Sequence, residues 1–121
     1  MHYVDGFVLP IAKDRMADYK AIVEGAAKIW KEHGALEYWE CVGDDLGTEK
    51  GTRSFAEMTN ATEDENVIFG WVVFDSREAR DAANEKVAAD PRMGELMDPE
   101  NPIFDFQRMA YGGFKSTVRV D

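Results

Sequence analysis

The chain has 121 residues, 45% hydrophobic and 12% aromatic, enough for one domain with a core of its own. Fourteen basic against twenty-four acidic residues leave a formal charge of -10, and the cations are scattered, a balance that repels nucleic acid and anionic lipid. No apolar run approaches the roughly 20 residues of a membrane span, no leader pattern opens the chain, and the single Cys41 makes no intrachain disulfide, so the expectation is a cytoplasmic protein with Cys41 as a small core residue.

The first predicted strand runs from Tyr3 to Ile11 and is apolar throughout except at Asp5, which signals burial on both faces. A helix follows from Lys13 to His33, where Met16, Tyr19, Val23, Ala26 and Trp30 make one apolar stripe and Gly34 supplies the stop. The second strand, Ala35 to Val42, mixes Leu36, Tyr38, Trp39 and Cys41 with Glu37 and Glu40. The stretch from Gly43 to Asn66 is polar and acidic, and reads as a solvated connection with one helical turn around Ser54 to Met58. Val67 to Phe74 is a third, strongly apolar strand. Asp75 or Ser76 caps a second helix that runs to Ala89 and stops at Asp90-Pro91, because proline disfavours helical geometry in the residue before it. Arg92 to Met97 adds a short turn, Pro99 and Pro102 force an extended connection, and a last strand spans Gln107 to Val118.

Gly6-Phe7-Val8-Leu9 and Gly70-Trp71-Val72-Val73 echo one another, each a strand with a glycine feeding a helix. Two such halves make a ferredoxin-like βαββαβ domain of the α+β class. Two helices cover one sheet face, and strands apolar on both faces require a cover for the other, so the fold predicts a homodimer packed sheet to sheet as a dimeric α/β barrel.

Five short motifs then converge in order along nearly the whole chain: Tyr3-Val4-Asp5-Gly6-Phe7, Gly34-Ala35-Leu36 leading to Glu40-Cys41, Arg80-Asp81-Ala82-Ala83-Asn84, Asp90-Pro91-Arg92-Met93, and Arg108-Met109-Ala110-Tyr111-Gly112-Gly113-Phe114. As a set they closely resemble the YbaA-like family of short bacterial proteins, a domain of unknown function placed among the dimeric α/β barrels. The resemblance implies that fold, a homodimer and a cytoplasmic bacterial origin, and no established activity. Some relatives carry a name linking them to signal recognition particle RNA; the acidic balance here disfavours nucleic acid as a partner.

Asp5 is the sharpest local oddity, since a carboxylate in an apolar strand must be paired or protonated. Alternation puts it on the face of Tyr3 and Phe7, opposite Gly6, and the glycine face suits close packing of helices. Asp5 is therefore expected toward the barrel interior, with Arg108 or Tyr111 of the last strand in reach. The functional reading is a general acid or base in a pocket; the ordinary one is a buried ion pair or an aspartate bonded to tyrosine hydroxyls. Glu40 is the second carboxylate in an apolar strand, either a partner of Asp5 in an acid and base pair or an edge-strand residue facing water or an arginine.

Trp39, Trp71, Phe69, Tyr38 and Tyr111 could wall a flat ligand or fill a core or interface. Arg80 and Asn84 share a helix face and could cap a pocket mouth, or lie on a solvated surface beside Asp81 and Glu85. His2 and His33 make no metal spacing, no serine sits in G-x-S-x-G, and Gly112-Gly113 lacks the rest of a phosphate loop, so no metal or cofactor is expected. The sequence thus points to binding or cofactor-free conversion of a small organic molecule inside the barrel. Asp5 would titrate, Arg108 would be its partner or an anion clamp, and Trp71 and Tyr111 would be the walls, with Glu40 and Asn84 behind. The competing class is a non-enzymatic interaction protein that uses the acidic segment 44–65 to recruit a basic partner.

Overall fold

The computed structural model describes residues 2–48 and 51–121; Glu49 and Lys50 of the acidic segment lie outside the described residues. Eight elements follow in chain order: β1 (Tyr3–Ala12), α1 (Met16–Glu32), β2 (Glu37–Val42), α2 (Phe55–Thr59), β3 (Glu65–Phe74), α3 (Arg77–Ala89), α4 (Pro91–Glu95) and β4 (Ala110–Lys115). The strands form one antiparallel sheet in the order β2-β3-β1-β4, the ferredoxin-like arrangement expected.

The ends of these elements obey local chemistry. Gly34 leaves α1 with φ +120°, a conformation that favours glycine. Ser54 and Ser76 cap α2 and α3 by accepting from the backbone N–H groups of Glu57 and Ala79. Ser76, rather than Asp75, is therefore the cap. Among the described residues no helix is long and apolar enough to cross a membrane.

Register decides which side chains meet. Phe7 stands opposite Gly70 and Tyr111, Asp5 opposite Val72 and Gly113, and Tyr38 opposite Val72. Since neighbours across a sheet share a face, Tyr3, Asp5, Phe7, Leu9, Val72, Phe74, Tyr38, Glu40 and Tyr111 all lie on one side. That is the helix side. Leu9, Ile11 and Ile68 are buried there with Tyr19 of α1, and Val72 and Phe74 with Ala83 of α3.

The opposite face carries Val4, Gly6, Val8 and Pro10 of β1 with Phe69, Trp71 and Val73 of β3. Trp39 and Trp71 stack at 5.5 Å across β2 and β3. The helical turn expected near Ser54 to Met58 is α2, which packs on β1 and β3 with Phe55 against Phe69 at 5.8 Å. The acidic connection thus covers one end of this face, while Trp39, Phe69 and Phe114 remain 49%, 45% and 63% exposed. Cys41 is exposed at the sheet edge, not a core residue, because β2 is an edge strand and Cys41 lies on the face opposite α1 and α3.

Candidate functional site

A cavity of about 270 Å³ lies between the sheet and the helices. Its floor is Asp5, Phe7, Leu9, Val72, Tyr38, Glu40 and Tyr111, and its roof is the inner stripe of α1 from Tyr19 to Trp30. Met93 and Met97 close one flank, and Phe104, Phe106 and Met109 of the connection into β4 close another. The walls are apolar or aromatic, the setting in which a few polar groups select a ligand. Phe104 meets Tyr19 edge-on at 5.7 Å and stacks on Phe106 at 5.7 Å.

Two polar clusters stand at opposite ends of the floor. At one end Arg80 of α3 donates from Nη1 to Asp5 Oδ1 at 2.9 Å, from Nη2 to the Tyr3 hydroxyl at 3.3 Å, and from Nε to Asp81 at 2.8 Å. Its guanidinium also lies 4.8 Å from the centre of the Tyr3 ring. The Asp5 and Arg80 side chains are 4% and 12% exposed, so the pair is closed off from solvent. Burial raises the Asp5 pKa above its ordinary value, while the Tyr111 hydroxyl and Arg80 pull it back. Gly113 makes the cluster possible: a Cβ there would come within 2.3 Å of the Tyr3 hydroxyl.

At the other end Glu40 accepts from both Tyr19 and Tyr38. The Tyr19 hydroxyl donates to Oε1, and the Tyr38 hydroxyl donates to Oε2 at 2.7 Å. Burial pushes the Glu40 carboxyl above the usual carboxylate range against the lowering by these two phenols, and pushes both phenols up as well. All four tyrosines of the chain therefore reach one of the two clusters.

Several expectations need correction. Asp5 faces the helices, not a sheet-to-sheet interior: the small face of Gly6 and Gly112 is the open one, where a Cβ on either glycine would stand 3.6 Å from the Phe114 ring. Arg108 is not its partner. Residues 106–108 form a 3-10 turn ahead of β4, from which Arg108 binds Glu65 through both terminal nitrogens at 2.7 Å and Asp105 at 2.8 Å. This fork holds Glu65 at a pKa of about 2. Trp71 pairs with Gly6 on the open face and so cannot form a wall with Tyr111, which lines the cavity. Asn84 is half-buried on α3 and lines no part of the cavity.

Asp5 and Glu40 share the cavity, but β3 lies between their strands and their rows differ by two residues. That separation is roughly 12 Å between Cα atoms, too far for a carboxylate pair sharing one proton. Glu40 is half-buried and lines the cavity, and among the described residues its partners are two phenols rather than an arginine.

The sequence reading named Arg80, Tyr38 and Tyr19 without giving them these roles, and signals for two of them were present. Arg80, Ala83 and Val87 recur at i, i+3 and i+7, so Arg80 belongs to the buried stripe of α3 and calls for a carboxylate. Tyr19 likewise sits within the apolar stripe of α1.

Comparison with known proteins agrees with the fold. The chain is 43% identical over 118 residues to the uncharacterized protein YbaA of Escherichia coli K12, covering 98% of each chain. Among solved structures it is similar to a NIPSNAP family protein of unknown function from Agrobacterium tumefaciens, with a TM-score of 0.61 at 15% identity over 95% of this chain and 87% of that one. An uncharacterized NIPSNAP-like domain protein from Burkholderia xenovorans gives a TM-score of 0.59 at 10% identity, over 99% and 89%. At these identities the two structures speak for the fold alone. The family model described as "Protein of unknown function (DUF1428)" matches residues 2–106, and the chain belongs to that family.

Proposed function

We propose that this protein binds a small, mainly apolar organic molecule in the cavity between its sheet and helices. The observation that carries the reading is the cavity itself: apolar walls built from α1, the sheet and the connection into β4, with the Glu40, Tyr19 and Tyr38 cluster at one end. Asp5 is already neutralised by Arg80, so it supports the floor and Glu40 is the carboxylate left to meet a ligand. The test is titration of 2-naphthol, a flat apolar body with one hydroxyl, followed by calorimetry. Saturable binding to the wild type is expected, and its loss in Met109→Trp, where a bulky ring fills the cavity from its flank. Equal binding to a correctly folded Met109→Trp protein would reject the site.

The second element of the proposal is a homodimer through the open sheet face. Trp39, Phe69, Trp71 and Phe114 form a contiguous aromatic surface larger than the scattered apolar residues of ordinary monomers, and a second copy of the same flat sheet matches it in shape and polarity. Light scattering at micromolar concentration should give twice the chain mass, and Trp39→Glu should give a monomer that still binds 2-naphthol, because the cavity is on the other face. A wild-type monomer would remove the dimer and leave the cavity untouched.

A further inference from the structure

We propose that the ligand of the cavity is a primary or secondary amine on an apolar, aromatic-sized body, held as its ammonium by Glu40. This rests on the binding reading above and names the chemical class that the site prefers. The residues lining the cavity include two carboxylates, Asp5 and Glu40, and no lysine, arginine or histidine. Asp5 has its cation in Arg80, which reaches it from α3. Among the described residues Glu40 has none: each of its oxygens accepts one phenolic hydroxyl, and no charged group stands beside it.

A carboxylate offers about four lone-pair positions, and two tyrosine donors leave the others unused. Phenols supply hydrogen bonds but no compensating charge, so a half-buried carboxylate on a cavity wall, held only by them, is a site whose remaining demand is for a cation. A protonated amine satisfies both demands at once by giving N–H donors and charge. The walls add to it, because Phe7, Tyr19 and Phe104 border the same space and aromatic rings attract an ammonium. A carboxylate ligand would meet two acids and no cation. An alcohol would satisfy a lone pair and leave the charge uncompensated.

The test compares three molecules with one naphthalene body: 2-(2-naphthyl)ethylamine, 2-(2-naphthyl)ethanol and 2-naphthylacetate, titrated by calorimetry at neutral pH. In the wild type the amine should bind roughly 10- to 100-fold more tightly than the alcohol, the range of a hydrogen bond to a charged group, and the acid should bind least. In Glu40→Gln the preference for the amine should largely disappear while the alcohol still binds. If the alcohol matches the amine in the wild type, the amine proposal falls and the cavity reading stands. If none of the three binds, both fall. If Glu40→Gln keeps the amine preference, the ammonium is held elsewhere and the assignment to Glu40 is wrong. Should that variant not fold, contacts between the methylene protons of the amine and the Tyr19 and Tyr38 rings, measured by NMR in the wild-type complex, decide the same point, and their absence overturns it.

Discussion

Asp5 and Glu40 sit on the same face of one sheet, Asp5 buried and Glu40 half-buried, and they are accommodated differently. Asp5, on a central strand, is met by a guanidinium from a helix that begins more than seventy residues further along the chain. Glu40, on an edge strand, is met only by phenols, one on its own strand and one from α1. The first arrangement is closed: charge is balanced within the protein, and the pair ties β1 to α3. The second is open toward the cavity, with hydrogen bonds in place and charge uncompensated. One polar cluster therefore ties the fold together, and in the function proposed above the other meets the ligand.

The largest test of that contrast is Asp5→Ala. Removing the carboxylate leaves the half-buried Arg80 guanidinium with only the exposed Asp81 as its counter-charge, and a loss of about 3 to 5 kcal/mol is expected. Asp5→Asn should lose less, since its shape and part of its hydrogen bonding remain. Denaturant midpoints at neutral pH and fixed protein concentration measure both. A nearly neutral Asp5→Ala would mean that Asp5 is not the structural member of the two.

Gly70 comes next, because it lies on the floor between Phe7 of β1 and Glu40 of β2. A Cβ at this position would stand 2.4 Å from the Phe7 ring and 2.7 Å from the Trp39 carbonyl oxygen, and a backbone atom cannot swing aside. Gly70→Ala should cost about 1 to 3 kcal/mol by overpacking, again read from the denaturant midpoint. Unchanged stability would show that Phe7 has another place to lie and that the floor separating the two acids is soft.

Glu40→Gln should be milder, about 0.5 to 1.5 kcal/mol, because an amide keeps the shape and one hydroxyl can turn to accept from it. A cost equal to that of Asp5→Ala would erase the distinction between a structural and an available carboxylate.

The smallest effects are in pH dependence, and their signs oppose one another. Asp5 and Glu40 have folded pKa values raised by burial, so the folded protein binds protons there more readily than the unfolded chain. Their contribution to stability is present below the unfolded values of 3.8 and 4.5 and is lost as pH rises through the raised folded ones. Glu65 behaves in reverse. Held at about 2 by Arg108, it stabilises above 4.5 and loses that contribution as pH falls toward 2. NMR titration of the side-chain carboxyl carbons should show Glu65 titrating well below the other two, and a Glu65 midpoint in the ordinary glutamate range would mean that the Arg108 fork is not formed in solution.

Much of this architecture is legible from local pattern. The apolar runs at Tyr3 and Val67, the stripe from Met16 to Trp30 and the stop at Pro91 each depend on residues within a few positions of one another, and each stands where the pattern put it, while of the two caps the pattern allows, Asp75 and Ser76, the structure uses Ser76. The pattern predicts the last strand too early and too long, because Gln107 and Arg108 look compatible with extended chain; in the structure Asp105 caps a 3-10 turn over them by accepting from the Gln107 N–H, and Arg108 is pulled toward Glu65.

The side to which Asp5 points was not legible. Both alternating sets of β1 are apolar apart from Asp5, so period-two patterning separates the faces without saying which one the helices cover. Glycine was a misleading guide, since Gly6 and Gly112 make room for Phe114 rather than for a helix, whereas Gly70 and Gly113, on the helix side, make room for the Phe7 and Tyr3 rings. The sequence by itself determined the order and type of the elements, because helix stripes, strand alternation and caps are interactions among near neighbours. Only the tertiary structure decided the partners of Asp5, Glu40 and Arg108, because sheet register and helix rotation bring together groups far apart in the chain, as with Asp5 and Arg80, 75 positions apart, and no local pattern encodes which cation or hydroxyl will arrive.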